Sequence, residues 1–207
     1  IITSTNGGRL LDIAARGDIE LDLATVSSGG NINIGTQGDI TARSANIFNN
    51  SAAYYSHSIQ LNTTAGAIDI SSLESKPQTV IKSPTGNIKI LAKGNINAIS
   101  ANITASTQSF AIELISQTGE INISSSQVAG VPATDITGAD NILIKAGQDV
   151  HAISAKVSAS TGYGKELRFE STGSGKKLWV SNARLVGKTI RAVNLSVQGV
   201  PAQGTIQ

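Results

Sequence analysis

Few side chains in this sequence are equipped for chemistry. Cysteine is absent from all 207 residues, which removes disulfides, thiolate metal ligands and a cysteine nucleophile. The two histidines, His57 and His151, share no spacing with a carboxylate that would build a zinc site or a catalytic triad. They read as solvated polar residues. Asp18 and Asp39 lie 21 residues apart in matching Gly-Asp-Ile contexts, so they are expected to stack on neighbouring turns of a repeat. Stacked carboxylates could hold a cation or serve a lyase or hydrolase acting on polysaccharide. Asn95 takes the same position farther on, and Asn replaces Asp freely in turns but not in acid catalysis. The turn reading is therefore the stronger one. Asp12, Glu20, Asp22 and Asp69 alternate with apolar residues and are expected to face water. No catalytic, cofactor-binding or metal-ligating residue is assigned.

Aromatic residues make up only 3% of the chain, which makes the exposed ones conspicuous. Tyr54 and Tyr55 sit together in a predicted loop, where they would either reach a partner protein or sugar or pin the loop to the body. Trp179 alternates with Leu178 and Val180 and is expected on an outer face close to a basic region. These three are the candidate partner contacts. Basic side chains number 7 up to residue 140 against 11 acidic ones, and 9 beyond it against 3. The excess toward the C-terminus would suit an anionic partner such as a glycan or lipid head group, or reflect nothing more than a solvated face. Nothing in the pattern suggests nucleic-acid binding, and no apolar run is long enough for a spanning helix.

What positions these residues is a repeat. The stretch 31–47 recurs at 87–103 and again at 141–157, with an earlier copy at 10–26. Ile32, Ile88 and Ile142 coincide, as do Ile34, Ile90 and Ile144, then Ile40, Ile96 and Val150, then Ile47, Ile103 and Val157. Ser44, Ser100 and Ser154, each followed by Ala, coincide too. Between these copies lies a second unit, seen around 59–70, 112–123 and 167–180. A period of about 55 residues holding two turns of chain indicates a solenoid. Its local alternation is two residues rather than 3.6, as in Asn31-Ile32-Asn33-Ile34, so the units are strands. Short strands with Gly-Asp or Gly-Asn corners predict an all-β, right-handed parallel β-helix of about eight rungs. Stacked at about 4.8 Å, these would form a rod of roughly 38 Å. Small interior residues follow from the narrow tube, and glycine at the corners is expected to supply positive φ. Loops are predicted at 49–58, 72–79, 125–138 and 160–165. With no methionine, position 1 included, the chain reads as one β-helix segment, 1–207, cut from a longer protein.

Gly17-Asp18-Ile19-Glu20-Leu21, Gly38-Asp39-Ile40-Thr41-Ala42 and Gly94-Asn95-Ile96-Asn97-Ala98 resemble the haemagglutinin-type repeats of two-partner-secretion exoproteins. That group comprises filamentous-haemagglutinin-like adhesins and the stalks of contact-dependent inhibition effectors. The likeness spans nearly the whole chain and rests on a degenerate motif. It implies passage through an outer-membrane transporter and display or release at the surface of a Gram-negative bacterium. The partner would then be a host-cell or bacterial surface receptor or glycan. The Asn-Pro motifs of the family's secretion domain are missing, since the prolines follow Lys76, Ser83, Val131 and Val200. The resemblance therefore implies a rod segment of an adhesin or, alternatively, the stalk of a contact-dependent toxin-delivery effector, with a carbohydrate-active β-helix lyase or hydrolase as the competing class.

Overall fold

Residues 1–4, 10–50, 57–106, 111–162 and 165–207 are described by a computed structural model. Among them there are 24 strands and no helix. The strands form three sheets of eight, and each neighbouring pair is parallel. The chain visits the sheets in the same order eight times. The first rung is Ile2–Ser4, Leu11–Ala15 and Ile19–Glu20; the eighth is Arg184–Val186, Thr189–Val193 and Leu195–Gln198. This is the parallel β-helix of eight rungs that the isoleucine pattern demands.

Register places the recurring residues in vertical columns. In the second sheet Leu11, Ile32, Ile59, Ile88, Ile112, Ile142, Leu167 and Ile190 lie over one another. A second column in the third sheet runs Ile19, Ile40, Ile68, Ile96, Ile121, Val150, Leu178 and Val197. Ile32, Ile59, Ile88, Ile112 and Ile142 are at most 1% exposed. Each such side chain contributes roughly 1.5–3 kcal/mol of apolar transfer, and the gain repeats at every rung. Among the described residues Phe169 is the one aromatic side chain fully buried in this interior, alongside Leu167.

The 55-residue period has a structural origin at one corner. Between the third sheet and the next strand of the first sheet, rungs two, four and six turn tightly through Ser44, Ser100 and Ser154. These serines hold φ of 51°, 56° and 54°. Rungs three and five instead insert longer loops there. Each loop returns through a buried threonine, Thr79 or Thr134. Thr79 Oγ1 accepts the Ser44 N–H at 2.7 Å and donates to the Ser71 carbonyl at 2.9 Å. Thr134 repeats this with the Ser100 N–H at 2.7 Å and the Ser124 carbonyl at 2.8 Å. In return Ser44 Oγ accepts from Leu73 N–H, and Ser100 Oγ from Ser126 N–H. Ser72 Oγ donates on to the Ser100 carbonyl and Ser125 Oγ to that of Ser154. A loop rung thus satisfies the polar groups of the tight rungs on both sides, and rungs two to six form a continuous polar clamp beside the apolar core.

Two expectations need correction. The corner glycines do not serve positive φ: among described glycines only Gly130, Gly175, Gly199 and Gly204 have it, and the left-handed corner positions belong to Leu23, Ser44, Ser100, Ser154 and Asn182. Gly66 and Gly119 are needed because a Cβ would overlap the backbone of the preceding rung, at Gly38 and at Gly94-Asn95 respectively. At Gly17, in the first rung, a Cβ would meet nothing. The second correction concerns loop ends. Asn49 closes the strand Asn46–Asn49, and Asp135–Gly138 is a strand paired with Asn102–Ala105, so the predicted 125–138 loop stops at Thr134. Gly138 suggested a loop from sequence, but its register beside Ala105 keeps it in the ladder.

Candidate ligand-binding surfaces

The stacked carboxylates are structural. Asp18 Oδ1 accepts the backbone N–H of Asp39 at 2.8 Å, and Asp39 Oδ1 accepts that of Ala67 at 2.7 Å. Asn95 does the same for Glu120 at 2.9 Å and Asp149 for Lys177 at 2.9 Å. An amide oxygen serves this capping as well as a carboxylate, which explains why Asn and Asp interchange here. Among the described residues no group of three or more His, Cys, Asp or Glu side chains is arranged to hold a metal ion. Of the outward acids, Asp22 is more than a solvated charge. It receives Arg43 Nε at 2.9 Å and the Arg43 N–H at 2.8 Å, with Nη2 also in contact. Burial acts to raise the Asp22 carboxyl, but these hydrogen bonds and the guanidinium charge outweigh it and hold the group below the usual carboxylate range.

Trp179 lies where expected, on the outer face of the third sheet, and the ladder sets it between His151 and Gln198, 28 and 19 residues away in sequence. It pairs with His151, the ring centroids 6.2 Å apart and the planes 5° from parallel. Lys177 Nζ stands 5.3 Å from the indole centroid, a cation–π arrangement. His151 Nε2 is 3.8 Å from Glu120 Oε2. His151 is therefore part of an aromatic and charged cluster rather than an isolated polar residue, a correction that follows from rung stacking. The Trp179 Nε1–H is buried without an acceptor.

Tyr54 and Tyr55 lie outside the described residues. The ends of their segment are described and firmly held. Asn49 Nδ2 donates to the His57 carbonyl at 2.7 Å and to Ser83 Oγ at 3.0 Å, and Ser83 Oγ donates to the same carbonyl at 2.9 Å. Asn50 N–H reaches the Ser28 carbonyl at 2.7 Å, and Ser58 N–H reaches Asn31 Oδ1 at 2.8 Å. Gly86 passes so close to the His57 carbonyl that no side chain fits there.

Beside this anchor the first sheet carries a cleft of about 420 Å³, lined by Asn46, Phe48, Asn49, Asn50, Val80, Lys82 and Pro84. Strand register puts Asn46 next to Val80 and Phe48 next to Lys82, so two strands from successive rungs present a two-by-two outward array. Asn49 Oδ1 has no donor although the residue is only 1% exposed. Sequence reasoning did not single out Phe48. Its outward phase could be read from the buried Ile47, but its neighbours Val80 and Lys82 are 32 and 34 residues away and become visible only once rungs are paired. Compared with known proteins, the chain matches no family model, no curated protein and no solved structure.

Proposed function

We propose that this chain is a rod segment of a secreted, surface-displayed bacterial adhesin of the filamentous-haemagglutinin type, exported through an outer-membrane transporter and acting without catalysis. The observation that carries the reading is the separation of interior from exterior. One interior column is Ile or Leu in every rung, whereas the adjacent outward column of the same strands runs Asp12, Asn33, Gln60, Lys89, Glu113, Leu143, Arg168 and Arg191. Such a scaffold keeps its stability while its lateral chemistry varies, which suits spacing and display. The Gly-Asp/Asn-Ile corners that resemble haemagglutinin-type repeats supply the family assignment. Attachment would be lateral, to a receptor or glycan of a host cell or of another bacterium.

The test is adhesion of beads coated with the 207-residue protein to epithelial and bacterial surfaces, compared with albumin-coated beads. Retention above the albumin control is expected. Equal retention on every surface would remove the adhesive role, and hydrolytic or eliminative activity on a polysaccharide would replace it with the enzyme reading.

A further inference from the structure

The first-sheet cleft brings apolar, amide and cationic groups together. Phe48, Val80 and Pro84 offer an apolar floor. The Asn46 and Asn50 amides each provide donors and an acceptor at the rim, and both residues are exposed. Lys82 contributes a cation immediately beside Phe48, and among the described residues no acidic side chain lines the cleft.

We propose that this cleft binds one residue of a carboxylated glycan, a uronic or sialic type of sugar. The apolar face of a pyranose ring would lie on Phe48 and Val80, as sugars stack on aromatic side chains. Vicinal hydroxyls pair with the Asn46 and Asn50 amides, whose donor and acceptor are both used by a diol. The sugar carboxylate takes a charge-assisted hydrogen bond from Lys82 Nζ. The volume of about 420 Å³ falls at the small end of ligand clefts, which run roughly 300–1,000 Å³, and suits one or two rings rather than a long chain. The Trp179 face is less suited to an anion, because Glu120 stands beside His151 there. The proposal deepens the adhesin reading by naming a ligand class, yet it stands or fails on its own measurement.

The 207-residue protein is titrated by NMR with glucuronic acid, N-acetylneuraminic acid, glucose and acetate, following the resonances of Phe48, Val80 and Lys82. Either acidic sugar is expected to shift these resonances at millimolar concentration, with glucose about tenfold weaker for want of the charged contact. Acetate alone is expected to leave them in place. Lys82→Gln should abolish the preference for acidic sugar over glucose, and Asn46→Asp should weaken the acidic sugars alone by adding a like charge. Both positions are exposed, so the fold is retained, and unchanged melting temperatures verify it. Absence of shifts with either acidic sugar would overturn the proposal, as would equal responses to acetate and glucuronic acid or unaltered binding in both variants. Bead adhesion that persists without sugar binding would sink the cleft assignment alone; sugar binding without adhesion would sink the adhesin reading alone.

Discussion

The polar clamp can be tested at a single atom. Thr134→Val keeps side-chain shape and β-branching, so it opens no cavity and leaves strand packing intact. It removes Oγ1, which accepts the Ser100 N–H and donates to the Ser124 carbonyl. Ser100 is fully buried; its N–H loses the shorter of its two bonds and keeps the longer one to the Ser124 carbonyl at 3.2 Å, at about 0.5–1.5 kcal/mol. Ser124 is half-buried and its carbonyl still accepts the Ser100 N–H, which limits that loss to about 0.5–1 kcal/mol. A destabilisation of about 1–2.5 kcal/mol follows. Urea unfolding should report it as a lower midpoint with an unchanged slope, and the Ser100 amide should exchange faster with solvent. Thr137→Val is the control: its outward hydroxyl bonds only to Asp135 Oδ1 at 2.8 Å, and the change should cost no more than about 0.5 kcal/mol. Equal effects of the two substitutions, or an undisturbed Ser100 amide, would refute the clamp.

Other perturbations follow from the same geometry. Ile96→Asp buries a charge in the third-sheet column and should expose rungs three to five to limited proteolysis, whereas Asp39→Asn keeps the Oδ1 acceptor for Ala67 N–H and should leave the digestion pattern unchanged. Gly86→Ala forces a Cβ into the His57 carbonyl, so the bonds from Asn49 and Ser83 should be lost and cleavage within 50–58 should accelerate while the melting temperature falls modestly. For pH, the depressed Asp22 carboxyl sets the sign. Its stabilisation is fully present above the unfolded carboxylate value of about 3.9 and is lost as pH falls through the lower folded value. Glu170, held down by its hydrogen bond from Lys145 against the opposing effect of burial, acts in the same direction. Thermal stability measured from pH 5 downward should therefore decline, and Asp22→Asn should flatten part of that decline.

The columns were legible from sequence because a period of two within strands and a 55-residue recurrence between them admit only stacked turns. Ile32, Ile88 and Ile142 align by inspection, and the structure separates them by one intervening rung each, at Ile59 and Ile112. The corners were misread for a physical reason. Glycine before Asp suggested positive φ, but the constraint is contact with the preceding rung, a long-range property that no local motif encodes. Ser44, Ser100 and Ser154 were visible as a coincidence of small residues, yet their left-handed backbone and their bonds to the loops depend on partners about 30 residues away. The surfaces were hidden in the same way. Phe48 with Lys82 and Trp179 with His151 are juxtapositions of neighbouring rungs whose lengths vary with the inserted loops, so the neighbours emerge only after register is known.

The stacking itself is best tested by distance. The chain has no cysteine, so paired cysteine substitutions can be spin-labelled without background. Glu20, Thr41, Asp69 and Gln198 occupy one outward column of the third sheet, in rungs one, two, three and eight. Pulsed electron–electron resonance from Gln198 to Glu20, Thr41 and Asp69 should give about 34, 29 and 24 Å, a decrement of about 4.8 Å per rung. Distances that do not shorten in that order, or that fall into two unrelated groups, would contradict a parallel ladder running the length of the chain.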